Sequence, residues 1–152
     1  RDIYTAIKTI KDTQSKTIFS KLTIMNNTRI NLLTKKFNLL SKKKNYKKII
    51  WLGPSYKLNS FSIVNSPYLK FKKFLLKKNL KLFSFDSSFD LKRENMHNVI
   101  DKISKESIKN SLLILNYLSD SDVKKLKYFY HNKICDVLNV NFNNKKENFI
   151  NY

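Results

Sequence analysis

KIIWLGPSYKLNSFSIVNSPYLKFKKFLLKKNLKLFSFD, residues 48–86, decides the fold. It opens on Ile49-Ile50-Trp51-Leu52, a continuous apolar run stopped by Gly53, the only glycine in the chain. An apolar run of this length closed by a turn residue fits a strand buried on both faces. After a polar stretch, Ser66-Pro67 supplies a helix N-cap and then proline at the first helical position, where its missing N–H is no loss. Leu69, Phe71, Phe74 and Leu75 mark the apolar side of the helix that follows. Asn79 is placed to end it, because asparagine follows glycine in preference for the left-handed position past a helix C-terminus. Leu80 to Phe85 then reads as a second strand ending at Asp86.

The same alternation continues downstream. Residues 87–110 are polar and read as a loop plus one short helix around Val99 to Ile108. Ser111 to Tyr117 is a third buried strand. Ser119 or Asp120 caps a helix carrying Val123, Leu126 and Phe129 or Tyr130, and Ile134 to Val140 is a fourth strand. Upstream, Ile18, Leu22, Met25, Leu32, Leu33, Phe37 and Leu40 recur at three- and four-residue steps, which predicts a helix of about twenty residues. Residues 41–48 (SKKKNYKK) form a charged break. Strands alternating with helices at this spacing predict an α/β, Rossmann-like fold, with a mainly parallel sheet, helices on both faces and a long preceding helix. The expected organisation is a helical region at 1–44, the sheet domain at 45–141 and a polar tail at 142–152. Ligands of such sheets bind beyond the carboxyl ends of the strands. Here that edge is drawn from residues 53–65, 86–89, 117–120 and 136–139.

Composition narrows the function classes. The 152 residues, 18.1 kDa, hold one domain with an appended helix. Hydrophobic residues at 41% suffice for a core, which excludes disorder throughout. No run approaches the roughly 20 apolar residues of a membrane span, so no membrane partner is expected. The single Cys135, set in an apolar strand, leaves neither a disulfide nor a thiolate cluster and reads as a buried, inert thiol. His97 and His131 lack partners at metal spacing, so no metal is expected. The formal net charge of +20 invites a nucleic-acid reading, but the basic residues are 28 Lys and only three Arg. Abundant Lys, Asn, Ile, Phe and Tyr with almost no Gly or Pro follow A/T-rich codons. Proteins that read nucleic acid favour the bidentate arginine fork, so no nucleic-acid partner is expected. Residue 1 is Arg, with no apolar signal core after it, so the chain reads as processed or as a piece of something longer.

With these residues in place, the segment 48–86 resembles the C-terminal domain of the UDP-glucose/GDP-mannose dehydrogenase family. That family has a strand, G-x-[AS]-[FY]-K-x-[ND], a loop carrying D-x-R-x-S-P, a helix, and a strand ending in Asp. Gly53, Ser55, Tyr56, Lys57, Asn59, Ser66, Pro67 and Asp86 fall in register with it. Residues 111–139 are similar to the family's strand, T-D-H-x-E-F loop, helix and closing V-x-D-x-R-N strand, where Asp136 and Asn139 match. TIMNNTRINLLTKKF, residues 23–37, resembles the family's central dimerisation helix. Arg1-Asp2 stands where the family's G-G-x-C-x-x-K-D ends, which sets the start of the chain three residues after a catalytic cysteine.

The resemblance implies the C-terminal portion of a cytoplasmic, NAD-dependent nucleotide-sugar 6-dehydrogenase serving polysaccharide biosynthesis. In that family a cysteine traps the aldehyde as a thiohemiacetal, and oxidation gives a thioester that water hydrolyses. Asp2 then matches the carboxylate that organises the water, and Arg1 replaces a lysine that steadies developing negative charge. Tyr56 and Lys57 match the pair reaching a UDP- or GDP-linked sugar. NAD is held mainly by an N-terminal domain outside this chain, and the partner is a second copy through the N-terminal helix. The chain departs from the pattern at Ser62 (an Asp position), Val64 (an Arg position that helps hold the cofactor's phosphates) and Leu138 (an Arg position contacting substrate). Two alternatives stand beside the enzyme: a basic nucleic-acid or ribosome-associated protein, from the +20 charge and the interleaved Tyr and Phe, and a catalytically silent divergent paralogue, from these departures. Apart from the resemblance, Asp2 is an ordinary solvated acid or helix cap, Lys57 one of many surface lysines, and Gly53 a turn residue, since no G-x-G-x-x-G occurs.

Overall fold

A computed structural model describes residues 2–46, 48–55, 62–87, 96 and 98–140. The fold is α/β and Rossmann-like. Two helices, α1 (Asp2–Thr9) and α2 (Thr13–Lys43), precede β1 (Lys48–Leu52). Then follow α3 (Pro67–Leu76), β2 (Leu82–Phe85), a single turn α4 (Lys105–Ile108), β3 (Ser111–Leu115), α5 (Asp120–His131) and β4 (Asp136–Asn139). The four strands form one parallel sheet in the order β2-β1-β3-β4.

Alternation along each strand divides the core in two. Ile49, Trp51, Leu82, Leu112, Ile114 and Leu138 meet Leu33 and Phe37 of α2 and Tyr68, Phe71 and Leu75 of α3 on one face. Ile50, Leu52, Phe85, Leu113 and Leu115 meet Ile108 and Leu126 on the other. After a polar first residue, Lys48 in β1 and Ser111 in β3, the two inner strands are thus apolar at every position, as a sheet covered on both sides requires. Phe37 stands edge-on to Phe71 at 5.6 Å and to Phe74 at 5.8 Å, and Trp51 edge-on to Tyr68 at 5.8 Å. Each such pair adds about 1 kcal/mol beyond the area it buries.

Several boundaries differ from the sequence reading. The long helix runs 31 residues, not twenty, and continues into the charged break as far as Lys43. It starts where the Asp12 carboxylate accepts the Ser15 N–H at 2.7 Å, and this cap separates it from α1. The helix expected around Val99 to Ile108 shrinks to 105–108, because Val99 instead forms a parallel bridge to Ser84 at the outer edge of β2. Ser84 N–H donates to the Asn98 carbonyl, and Ile100 N–H to the Ser84 carbonyl, so backbone groups that a helix would use are spent on that edge. Ser66, Pro67 and Ser119 cap α3 and α5 as read, and Asn79 takes φ 54° past α3.

Candidate functional site

From β1 the chain crosses by α3 to β2 on one side, and from β3 it crosses by α5 to β4 on the other. The carboxyl ends of β1 and β3 are therefore adjacent strand ends whose connections diverge, the point at which parallel sheets open a crevice for ligands.

Gly53 closes β1 there. Its φ is +69°, and a Cβ built on it would lie 1.6 Å from the carbonyl oxygen of Tyr117, so only glycine lets the two strand ends approach this closely. The space a side chain would occupy is filled by protein backbone, which makes Gly53 a packing glycine and not a phosphate cradle. Asn116, the residue after β3, is 3% exposed. Its side-chain amide donates to the carbonyls of Gly53 (2.9 Å) and Ser55 (3.2 Å). Trp51 donates its indole N–H to the Gly53 carbonyl at 3.3 Å, and the Ser66 hydroxyl reaches the Ser55 carbonyl at 3.5 Å. The same Ser66 oxygen accepts the Tyr68 N–H at 3.2 Å as the cap of α3. The end of β1, the loop after it and the start of α3 are thus tied at one point to the end of β3, more than 60 residues downstream of Gly53 and Ser55.

A second polar knot lies along the same edge. Asp122, in the first turn of α5 and 4% exposed, accepts the hydroxyls of Ser87 (2.5 Å) and Ser119 (2.9 Å), with Lys125 at 3.7 Å. It fastens the chain leaving β2 to the N-terminus of α5. A buried carboxylate held by two hydroxyls is a satisfied structural group.

Of the sequence-derived site residues, Arg1, Tyr56, Lys57 and Asn59 lie outside the described residues. Asp2 opens α1, and its side chain lies outside them too. Gly53, Ser55 and Ser66 come together as above, and Asp86 follows β2, the neighbour of β1. Asp136 does not reach the carboxyl edge: it begins β4, opposite Leu112, and pairs with Lys44 at 2.7 Å near the amino end of the sheet. Asn139 ends β4, in register with Leu115. Val64 is 62% exposed, whereas Leu138 is closed into the core beneath α2 and α3. Cys135 is buried, and desolvation pushes its thiol up to about 11, so the thiolate needed of a nucleophile is disfavoured. Asn116 and Asp122 escaped the sequence reading.

A cleft of about 500 Å³ lies elsewhere, bordered by Lys48, Phe83, Val99, Ile100 and Glu106. Lys48 there donates to the Ser107 carbonyl at 3.4 Å, and Ser104 and Ser107 cap each other, so its polar groups serve the fold. Among the described residues no group of three His, Cys, Asp or Glu side chains could hold a metal ion, and no helix is long and apolar enough to cross a membrane. No family model, no curated protein and no solved structure matches the chain.

Proposed function

We propose that the chain is the C-terminal portion of an NAD-dependent nucleotide-sugar 6-dehydrogenase and supplies its nucleotide-sugar cleft. One observation supports it above the others: Gly53, Ser55, Ser66 and Pro67, all in the motif that resembles that family, converge where the connections from β1 and β3 diverge. Tyr56 and Lys57 follow Ser55 directly, and the Ser55 carbonyl is fixed by Asn116 and Ser66. In this reading Lys57 pairs with the diphosphate as a point charge, and Tyr56 presents an aromatic face with a polar tip to the sugar. Asp2 orients the hydrolytic water, and Arg1 steadies charge on the reacting carbonyl.

The described residues do not fit NAD. Gly53 is filled from behind by Tyr117, and the Arg position that resembles a phosphate contact is Val64. In this reading hydride transfer to NAD belongs to a part of the parent enzyme outside this chain. The proposed partner is a second copy, through the exposed apolar residues of α2.

A second reading, the catalytically silent relative, is favoured by Leu138. Its burial leaves position 138 unable to offer a side chain to substrate.

The test is calorimetric titration of the chain with UDP, UDP-glucose and GDP-mannose. Saturable binding with a dissociation constant below about 1 mM, weakened about tenfold by Lys57→Ala, is expected. No saturable binding at millimolar ligand overturns the cleft. Binding without NADH formation by the complete parent enzyme selects the silent relative.

A further inference from the structure

The basic residues are segregated, and codon drift does not account for how. Between positions 13 and 85 there are 17 Lys and Arg and not one Asp or Glu, while the rest of the chain carries 14 basic and all 11 acidic residues. Drift toward lysine codons raises lysine everywhere, but it does not clear acids from one half of a chain.

The fold converts this sequence segregation into a spatial one. The acid-free segment contains α2 and α3, which cover the same face of the sheet. Asp101, Glu106, Asp120 and Asp122 belong to the α4 and α5 regions, which cover the other. On α3, Tyr68, Phe71 and Leu75 point inward, and Lys70, Lys73 and Lys77 are exposed on the opposite side. On α2, Leu33 and Phe37 point inward, with Lys35 and Lys42 exposed. Leu76 is 60% exposed and Leu80 37%, interleaved with Lys73, Lys77 and Lys81 at the end of α3.

We propose that this α2–α3 face docks on an anionic lipid bilayer, its lysines against lipid phosphates and Leu76 and Leu80 at the head-group boundary. Charge complementarity selects a polyanion, and two further features select a bilayer over a nucleic acid. Apart from Arg29 of α2, the basic residues of the two helices are lysine point charges rather than the arginine forks that grip phosphate bidentately. Its aromatic side chains Phe37, Tyr68 and Phe71 are buried, and Phe74 is partly buried against Phe37 and Phe71, so this face offers no row of open rings for bases to stack on. Exposed leucines among lysines on a helical surface are what an interfacial contact uses. A surface contact of this kind needs no spanning run, so their absence does not oppose it.

Vesicle co-sedimentation of the intact chain tests this. Partition onto phosphatidylcholine vesicles containing about one-third phosphatidylserine should exceed partition onto pure phosphatidylcholine, and should fall as salt shortens the screening length. Each lysine near an anionic surface is worth about a fivefold change, so the triple substitution Lys42→Gln, Lys73→Gln, Lys77→Gln should lower partition about a hundredfold. The control triple Lys102→Gln, Lys109→Gln, Lys124→Gln removes the same charge from the opposite face and should change it little. Leu76→Asn with Leu80→Asn should weaken vesicle binding about tenfold and leave binding to a 20-base-pair duplex unchanged. Equal loss from the two lysine triples overturns the docking face, because net charge alone is then acting. Indifference to the leucine changes, tighter binding to the duplex than to vesicles, or no preference for anionic lipid overturns the bilayer. All substituted positions are exposed, so circular dichroism should report an unchanged fold.

Discussion

At position 53 a methyl group would sit 1.6 Å from the Tyr117 carbonyl oxygen and 2.7 Å from the Tyr117 nitrogen. Backbone occupies that space, so the clash cannot be relieved by a rotamer change, and the left-handed φ adds its own penalty. Gly53→Ala should therefore destabilise the chain by about 3 kcal/mol or more. A urea midpoint equal to the parent's would show that the strand ends are free to separate. Asn116 is the neighbouring case with a different physics. Asn116→Leu keeps volume but removes the donors serving two buried carbonyls, at a cost of about 2 kcal/mol. Gly53 retains the Trp51 indole and Ser55 retains the Ser66 hydroxyl, so the loss should stop short of unfolding. If the cleft follows from the fixed Ser55 carbonyl, this variant should also weaken UDP binding by more than its fraction unfolded accounts for. Titration alongside the denaturation curve separates the two effects, and parallel losses would reduce Asn116 to a core residue.

Elements were legible in the sequence where their signals are local. Ser66-Pro67, Ser119 and Asn79 each act within a turn of themselves, and the caps and the left-handed residue stand where they were read. The four strands were legible from their apolar runs, though the pairing moves their ends: β1 gains Lys48, β2 loses Leu80 and Lys81, β3 loses Asn116 and Tyr117, and β4 loses Ile134, Cys135 and Val140. The misread segment 99–108 shows the limit. Its apolar spacing suits a helix, but Val99 and Ile100 are claimed by Ser84, a partner fifteen residues away that no local pattern announces. Asn116 was missed for the same reason, since its acceptors lie more than 60 residues upstream. Cys135, at the junction of α5 and β4, makes an element-scale consequence measurable. Burial raises its thiol to about 11, and the neighbouring Asp136 carboxylate pushes the same way. A thiol whose folded value is raised leaves stability intact below the unfolded value near 9, and stability falls as pH climbs from there toward 11. Cys135→Ala should flatten that part of the thermal-midpoint profile between pH 8 and 10.5. An identical slope in both proteins would assign the alkaline loss to other groups.

At the scale of the whole molecule, the sheet leaves much of its longest helix uncovered. Among the described side chains of α2 only Leu33 and Phe37 are fully enclosed, whereas Ile18, Leu22, Met25 and Leu32 are at least 40% exposed at steps of four, three and seven. That spacing lays the four side chains along one stripe, interrupted by Arg29, as a two-helix seam would. An isolated helix gains little from propensity alone, and this one carries Thr17, Thr23 and Thr28, whose hydroxyls bond back to carbonyls four residues earlier and weaken it further. A helix of 31 residues with this composition is best held along its first half by a partner, and a second copy of the stripe is self-complementary about a two-fold axis. Sedimentation equilibrium should then return twice 18.1 kDa at micromolar concentration. Leu22→Glu with Met25→Glu should return the monomer, because a charge buried against its own symmetry mate has no partner. Neither residue belongs to the sheet's core, so the near-ultraviolet signal of Trp51 should survive while helix content falls from the α2 N-terminus. A parent chain that sediments as a monomer with α2 fully protected from hydrogen exchange would instead mean that α1 alone suffices to hold the helix.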